Sequence, residues 1–427
     1  MGNHHLGKTG KSLKSYSKTL PIAGLVIPLF CSSALIPGFA SAMQTGNTEA
    51  TLGVTLSVEQ DDNITLVSDT AGDSAKEDDL IFHVLPALDM THFFNDHNLN
   101  LMLNGDYRKG VDIVDGEMNM EASAGLDFNF AGGLMIGLSN TYENEEFDQQ
   151  LYSETGVSDS QRNTYGVKTA YSFGERTAVE AGYSHKWEEF DDEPEETVYD
   201  TDTVTGKLTV PVSEEWKSYV QATLETVESD EATIRNNDDV HGVVGLRWEG
   251  PNRFAYWIEG GFGEIDYEAE ELEDFSETIG ETGVDIALTA WSFLEISVGR
   301  NSYGNLKYGG LFRHNFNDKL NLTLRANQDT LRSYSSTTTE STYDVTMFQL
   351  GLNSTFWERI EAGVTGSYRI QDTTSSVETL IGKATLDYPI QDWIKAGAHY
   401  QYATRTADNA GEEYDDNRIG LFVTLSL

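Results

Sequence analysis

Residues Asn417 to Leu427 read NRIGLFVTLSL. Every second residue from Ile419 onward is aliphatic, so in a β-strand these side chains share one face. The opposite face carries small or polar residues, with Phe422 as the one large exception. A strand that is apolar on one side and polar on the other is typical of a transmembrane barrel wall, which separates lipid from water.

The same alternation recurs along the chain from Thr51 onward, for example in segments 52–58, 134–142 and 320–326. Short connections with an aromatic neighbour alternate with long, acidic connections rich in Ser, Thr and Asn. We count about 20 strands (18 to 22), an even number as in bacterial single-chain barrels. The sequence therefore predicts an all-β fold: a single antiparallel transmembrane β-barrel with short periplasmic turns and long acidic extracellular loops.

Composition alone would indicate a soluble protein, because hydrophobic residues make up 39% and the mean hydropathy is −0.40. Averaging is misleading for a barrel, since polar lumen residues cancel the lipid-facing ones in any window. The formal net charge of −42 excludes nucleic acid as a partner, because phosphate binding needs a basic surface. The acidic loops are either simply solvated or recruit divalent cations at a lipopolysaccharide surface.

The N-terminus has the pattern of a targeting segment. A stretch with several lysines precedes the apolar run Leu20–Phe39, and Ala40-Ser41-Ala42 fits a signal-peptidase site. We predict a cleaved signal peptide over 1–42 and an outer-membrane β-barrel over 43–427. A membrane anchor helix is the alternative, which the prolines in the apolar run disfavour. The only cysteine, Cys31, lies in this segment, so the mature chain would have neither disulfides nor thiolate metal sites.

Aromatic residues gather beside the short turns, which predicts a periplasmic aromatic girdle at one membrane interface. Scattered core aromatics of a soluble β protein are the alternative, but these have no reason to gather at every second connection. The predicted girdle consists of Phe94, Phe130, Phe173, Trp216, Trp248, Trp291, Phe316, Trp357 and Trp393.

In each strand, the residues that alternate with the aliphatic ones are predicted to face the lumen. Charged side chains on that face are tolerable only if they are solvated or paired, so the interior is predicted to be wet. They either brace the wall as ion pairs or form a polar track for a hydrated solute. Any constriction is expected from the loops Asp61–Asp79 and Glu145–Ser160. The predicted lumen-lining residues are Arg108, Lys168, Lys186, Lys217, Arg247, Arg313, Arg325, Arg369, Lys383, Lys395, Arg418, Glu121, Glu180, Glu259, Asp285 and Glu361.

No catalytic motif is found: there is no nucleophile elbow, no paired-histidine motif and no cysteine in the predicted mature chain. We therefore expect no enzymatic activity, no catalytic residues and no cofactor. The segments Asp61–Asn63, Asn236–Asp239 and Asp415–Asn417 have the composition of calcium ligands but lack the spacing of an EF-hand loop. We interpret them as solvated loops and predict no metal site.

The segment Val58-Glu59-Gln60-Asp61-Asp62-Asn63-Ile64 resembles the opening of the β-barrel porins associated with exopolysaccharide and capsule export in Gram-negative bacteria. That family continues as a run of hairpins with turns similar to Asn317-Asp318-Lys319-Leu320. The resemblance implies a passive conduit for a polysaccharide made elsewhere, working with a periplasmic export protein.

The expected function is thus an outer-membrane channel for exopolysaccharide or capsular polysaccharide. A general or nutrient-uptake porin is the first alternative, and a surface adhesin or receptor with a closed lumen is the second. The expected location is the outer membrane of a Gram-negative cell, reached after signal-peptide export. The expected partners are outer-membrane lipid, lipopolysaccharide and the barrel assembly machinery.

Overall fold

The computed structural model describes residues 43–45, 47–63, 77–112, 114, 116–147, 158–174, 177–192, 195–229, 236–250, 253–268, 274–332, 342–357, 359–372, 376–408 and 413–426. The predicted signal segment with Cys31 lies outside these residues, as do Leu427 and most of the two predicted constriction loops. No helix in the described part of the chain is long and apolar enough to cross a membrane.

The described residues form 21 strands. These are β1 (Met43–Thr45), β2 (Thr48–Asp61), β3 (Asp79–Phe94), β4 (His97–Gly110), β5 (Glu117–Phe130), β6 (Leu134–Phe147), β7 (Ser158–Phe173), β8 (Thr177–Asp192), β9 (Glu195–Pro211), β10 (Trp216–Ser229), β11 (Asn237–Gly250), β12 (Phe254–Tyr267), β13 (Phe275–Ala287), β14 (Ser292–Arg300), β15 (Leu306–Asn317), β16 (Leu320–Arg332), β17 (Thr342–Phe356), β18 (Ile360–Asp372), β19 (Ser376–Gln391), β20 (Ile394–Ala407) and β21 (Tyr414–Ser426).

Strands β2 to β21 close into one antiparallel barrel of 20 strands, which confirms the predicted fold. Each strand pairs with its neighbours in sequence, and β21 pairs with β2 from Gly53 opposite Ser426 to Asp61 opposite Arg418. The short β1 adds a hairpin to the start of β2. Closure matters because lipid offers no hydrogen-bonding partner for an exposed strand edge.

The outward face of the barrel carries the aliphatic residues of every strand. Val244, in the middle of β11, and Leu421, in β21, are each 61% exposed. Exposed apolar side chains of this number and regularity would aggregate in water and are stable only against lipid. The alternation read from residues 417–427 therefore corresponds to the lipid face of the closing strand.

Several strands continue above the apolar band, where the sequence predicted loops. The acidic segment 191–199 is one example: its sequence predicts one of the long acidic loops, but β8 continues to Asp192 and β9 begins at Glu195. This prediction was wrong because residues 191–197 read DDEPEET and contain no apolar residue. The alternation that identifies a strand then disappears, although the backbone pairing continues.

A second aromatic belt, which the sequence reading missed, lies at the upper edge of the apolar band. Its tyrosines reach carboxylates on neighbouring strands: the Tyr183 hydroxyl donates to Asp202 over 2.6 Å, and that of Tyr368 donates to Glu378 over 2.7 Å. An apolar ring with a polar tip suits the boundary between lipid and water. Other tyrosines on the outward face are Tyr142, Tyr165, Tyr400 and Tyr402.

We predict that Val244→Arg destabilises the folded barrel by about 2–4 kcal/mol, because a cation at the bilayer midplane lacks hydration. Urea unfolding in lipid vesicles measures this loss. The matched control is Ser297→Arg on the inner face of β14, where Gly309 on the adjacent strand β15 leaves space. An equal loss of stability in both variants would contradict the assignment of the two faces.

Candidate functional site

The residues of the predicted aromatic girdle lie beside the short turns of the barrel. Phe94 at the end of β3 contacts the ring of His97 at the start of β4, which in turn contacts Phe130 at the end of β5. The rings of Trp216 and Trp248 are 6.3 Å apart on β10 and β11. Phe173, Trp291, Phe316, Trp357 and Trp393 occupy the equivalent ends of other strands or the turns themselves.

The inner face of the wall carries the charged residues that the sequence assigned to the lumen. Many of them bond to a neighbour on the same face, so they brace the wall. The bonded pairs are Arg108–Glu117 (3.1 Å), Lys168–Glu180 (3.7 Å), Lys186–Glu188 (2.9 Å), Lys217–Glu249 (2.9 Å), Arg247–Asp285 (2.6 Å), Lys395–Glu361 (2.8 Å), Asn104–Glu121 (3.1 Å) and Tyr219–Glu259 (2.5 Å). Arg313, Arg325, Arg369 and Lys383 occupy the same face on β15, β16, β18 and β19.

Arg162 of β7 forms an ionic bridge over three strands that the sequence analysis did not select. Its guanidinium lies 2.9 Å from Glu143 on β6 and 2.5 Å from Glu188 on β8. Glu188 is buried and also contacts Lys186 at 2.9 Å. A buried carboxylate needs such partners because it has lost its hydration. The charge on Arg162 was visible in the sequence, but its partners are set by the register of the strands.

The inner wall between β5 and β10 forms a shallow groove. A cavity of about 620 Å³ lies against it. Its floor is almost bare: Gly125 is opposite Ser139, which is opposite Gly166, and Gly182 lies beside Thr205. The rim carries charges of both signs and polar groups, namely Asp127, Lys168, Glu180, Lys207 and Gln221. A groove of this size with a few polar groups can accommodate a small solute.

An aromatic side chain borders this groove. Tyr219 lies over Gly245 of the next strand, where any side chain would collide with the ring. Its hydroxyl donates to Glu259 on β12 over 2.5 Å, and the Lys207 ammonium lies 4.7 Å from the centre of the ring. The ring is therefore held flat against the wall by a glycine, a carboxylate and a cation.

The interior differs between its two ends. Inward side chains near the long-loop end are buried, including Tyr199, Val227, Ile265 and Val377. Inward side chains on the bare groove are mostly accessible, for example Lys168 with 61% of its side chain exposed. Inward side chains are therefore packed more closely toward the long-loop end of the described wall than on the groove.

The closing seam between β2 and β21 has its own polar cluster on the inner face. His399 of β20 lies over Gly420 of β21 and reaches Glu59 of β2, with 2.5 Å between His399 Nε2 and the carboxylate. Glycine is required at position 420 because a side chain there would meet the imidazole ring. One side-chain contact thus ties three consecutive strands at the point where the barrel closes.

Above this contact, the structure brings together two of the acidic segments identified in the sequence. Asp61 and Asp416 are both buried, and Arg418 Nε lies 3.0 Å from the first and 2.8 Å from the second. The neighbouring Asp62 accepts the backbone N–H of Asn417 over 2.6 Å. One oxygen from each of the three carboxylates lies within 4.8 Å of the others. These segments were interpreted as solvated loops, but they form the top of the seam, with Arg418 as their cation.

The seam carboxyls lie above the lipid band, since the adjacent outward residues Asp415 and Asn417 are polar. Burial raises the pKa of Asp416 to about 7, against an ordinary value of 3.8. The adjacent Asp61 carboxyl raises it further and the Arg418 guanidinium opposes the rise. Burial also raises the pKa of Asp61. Two carboxyls that share one guanidinium hold a proton more tightly than a single carboxylate would.

We predict a pH-dependent contribution of this pair to stability. The pKa of Asp416 is raised in the folded barrel, so its stabilising contribution is complete below pH 3.8 and is lost as the pH rises through about 7. The unfolding constant should increase by up to roughly tenfold per pH unit from this group. Asp416→Asn, which mimics the protonated form, should flatten the urea-unfolding profile between pH 5 and 8, whereas Asp415→Asn should leave it unchanged. The same slope in Asp416→Asn and in the unmodified protein would contradict the shared proton.

We also predict that Arg162→Ala destabilises the barrel by about 2 kcal/mol, because Glu143 and Glu188 lose their common cation. The double variant Arg162→Ala/Glu188→Gln should recover part of that loss, since the buried charge is also removed. Urea unfolding of the single and double variants forms the test. No recovery would show that Arg162 contributes by packing and not by charge.

Comparison with known proteins identifies the fold. No family model matches the sequence, and no curated protein matches it. Three of the solved structures with a similar fold are the copper transporter OprC, a variant of the ferric enterobactin receptor from Pseudomonas aeruginosa bound to enterobactin, and the FrpB iron transporter from Neisseria meningitidis.

The TM-scores are 0.52 for OprC, 0.51 for the enterobactin receptor and 0.50 for FrpB, at 10%, 8% and 8% identity. The alignments cover 91%, 88% and 88% of this chain, and 82%, 81% and 82% of the other chains, in the same order. At such low identity the similarity establishes the fold and not the substrate. The protein is an outer-membrane β-barrel of the Gram-negative type.

Proposed function

We propose that this barrel is a channel through which small, hydrated, polar solutes cross the outer membrane. The observation that carries the proposal is the bare groove on the inner wall between β5 and β10, with its cavity of about 620 Å³. The glycines and small hydroxyl residues of its floor leave room for a solute, and its rim offers donors and acceptors of both charge signs. The mechanism is diffusion along this wall, without a covalent step.

The distribution of polarity supports this mechanism. Aliphatic side chains cover the outside, whereas amides and charged groups line the inside, so the interior is suited to water and not to lipid. Most of the charged groups of β5 to β13 are held in pairs such as Lys168–Glu180 and Arg247–Asp285. A passing solute therefore meets fixed, compensated groups instead of mobile side chains.

Uptake into the cell is the direction we favour. The structurally similar proteins are described as transporters of copper or iron and as a receptor for ferric enterobactin. They share the barrel architecture with this chain over most of its length. For this chain we infer only the broader class, which is uptake of a nutrient or another small solute.

Export of a polysaccharide is the second candidate. It is favoured by the resemblance of segment 58–64 to barrels associated with exopolysaccharide export, and by the inward amides, which suit sugar hydroxyls. However, the described part of that segment forms the closing seam through Glu59, Asp61 and Asp62. Because every barrel must close, these residues have a structural role that is independent of the substrate.

The partners follow from the location as further proposals. The outward apolar band would contact lipid, and the tyrosines and carboxylates above it would lie among lipopolysaccharide headgroups. The barrel assembly machinery would insert the chain, and a periplasmic export protein would be required only for the export candidate.

The groove can be tested by filling it. Gly125→Trp places a large ring on its floor, where the nearest atoms to a new Cβ lie 4.0 Å away. We expect this variant to slow the swelling of proteoliposomes in small neutral sugars about fivefold or more, because the ring occupies the solute path. The matched control is Gly382→Trp, which faces lipid from β19, lies away from the groove and has no atoms within 4 Å of a new Cβ.

Equal swelling rates for both variants would show that solutes do not pass along this groove. Single-channel conductance in the presence of long oligosaccharides separates the two candidates. Length-dependent interruption of the current would favour polysaccharide export, whereas indifference to polymers would favour a small-solute channel. A folded barrel without conductance would contradict both and favour a receptor with a closed lumen.

A further inference from the structure

The inner wall opposite to the groove carries cations of a different kind. Arg313, Arg325 and Lys383, which we call the basic arc, face inward from β15, β16 and β19 and are exposed. None of the three forms an ion pair with another residue in the part of the chain that the structure describes. They therefore differ from Arg162 and Arg247, whose charges are matched by carboxylates on the next strands.

The strand register shows how these cations are arranged. Arg313 and Lys383 share one row across the sheet, which runs through Thr323, Gly351 and Thr365. Four strand spacings separate them, or about 19 Å along the wall. Arg325 lies on the next row toward the long-loop end, opposite Gln349. The side chains between the cations are small, so nothing large screens them from the interior.

Inward acids on β15 to β19 are found, among the described residues, only above and below the basic arc. Asp329, near the long-loop end, accepts a hydrogen bond from Asn301 over 2.8 Å. Glu361 and Asp387, near the short turns, both face Lys395, at 2.8 and 3.7 Å. The middle of this wall is therefore positive, in a chain whose overall charge is −42.

Several acids of the opposite wall are matched by cations of their own. Glu180, Glu249 and Asp285 are each bound by a cation on their own side of the barrel. Glu295 on β14 is the inward acid nearest in register to Arg313, and the two do not form an ion pair in the described structure. Arg313, Arg325 and Lys383 thus place cations without an ion pair together on one arc of the described interior, whereas inward acids without a cation, such as Asp127 and Glu259, lie on other strands.

Amides accompany the cations. Gln349 and Asn353 of β17 and Asn321 of β16 are exposed on the same inner surface, with Asn353 donating to Asn321 over 3.3 Å. Cations attract an anionic group, and amides can donate to and accept from hydroxyls. We propose that the basic arc selects anionic, hydroxyl-bearing solutes, such as carboxylated sugars, from the solutes that enter the channel. This inference rests on the proposed channel function and specifies its substrate class.

The test compares two sugars of similar size and different charge. Proteoliposome permeation by glucuronate and by glucose is measured for the unmodified barrel and for Arg313→Gln/Arg325→Gln/Lys383→Gln. We expect the glucuronate-to-glucose permeation ratio to fall about tenfold in the triple variant at 0.1 M salt, and by much less at 1 M salt, where charges are screened. The matched control, Lys217→Gln/Glu249→Gln, removes a compensated pair and should leave the ratio unchanged.

The outcomes separate this inference from the channel proposal. If neither sugar enters through the unmodified barrel, the proposed function fails. If both enter and the ratio is the same in the triple variant, the channel remains and the anion preference is overturned. A ratio that falls equally at both salt concentrations would also overturn it, because a steric change does not depend on screening. Reversal potentials in a KCl gradient provide an independent readout: the chloride-to-potassium permeability ratio should fall about threefold or more in the triple variant.

Discussion

The structure depends on one constraint: within lipid, every backbone N–H and C=O must find its partner inside the protein. For strands this requires a closed sheet, and the closing pair is β2 with β21. The even number of strands follows from it, because every strand in the closed sheet is antiparallel to both of its neighbours. The wall of paired strands has an outer and an inner face. The outer face is in contact with lipid and therefore carries the apolar side chains.

The interior is organised by contacts that reach over a strand as well as between neighbours. His399 lies over Gly420 to reach Glu59, and Tyr219 lies over Gly245 to reach Glu259. In each case a glycine on the middle strand provides the space. The floor of the groove and the basic arc show the opposite arrangement: no aromatic ring of a described residue lies over the glycines there.

The fold could be predicted well from the sequence because the patterns that identify a barrel strand lie within a few adjacent residues. The parity of Leu421 and Arg418 can be read from adjacent residues, and so can the short turns with their aromatic neighbours. Two features could not be predicted. The continuation of β8 to Asp192 and the start of β9 at Glu195 could not be read from the sequence, because residues 191–197 (DDEPEET) have no apolar alternation. Whether an inward charged side chain has an ion-pair partner depends on the register of the neighbouring strands. Arg162 and Arg313 therefore look alike in the sequence, although in the described structure Arg162 is paired and Arg313 is not.

The polar cluster at the seam also bears on how the chain reaches its final register. Asp62 and Asn417 are 355 residues apart, so their strands meet only when almost the whole chain is in place. A slip of one residue at closure would turn Arg418 toward lipid, which is strongly unfavourable. A slip of two residues keeps every aliphatic side chain outward, so contact with lipid does not oppose it. It would, however, move Arg418 by about 7 Å from Asp61 and leave that buried carboxyl without its cation, because Asp416 lies on β21 and moves together with Arg418. Hydrophobicity therefore selects the face, and the Asp61–Arg418–Asp416 cluster selects the correct register among the alternatives that hydrophobicity cannot distinguish.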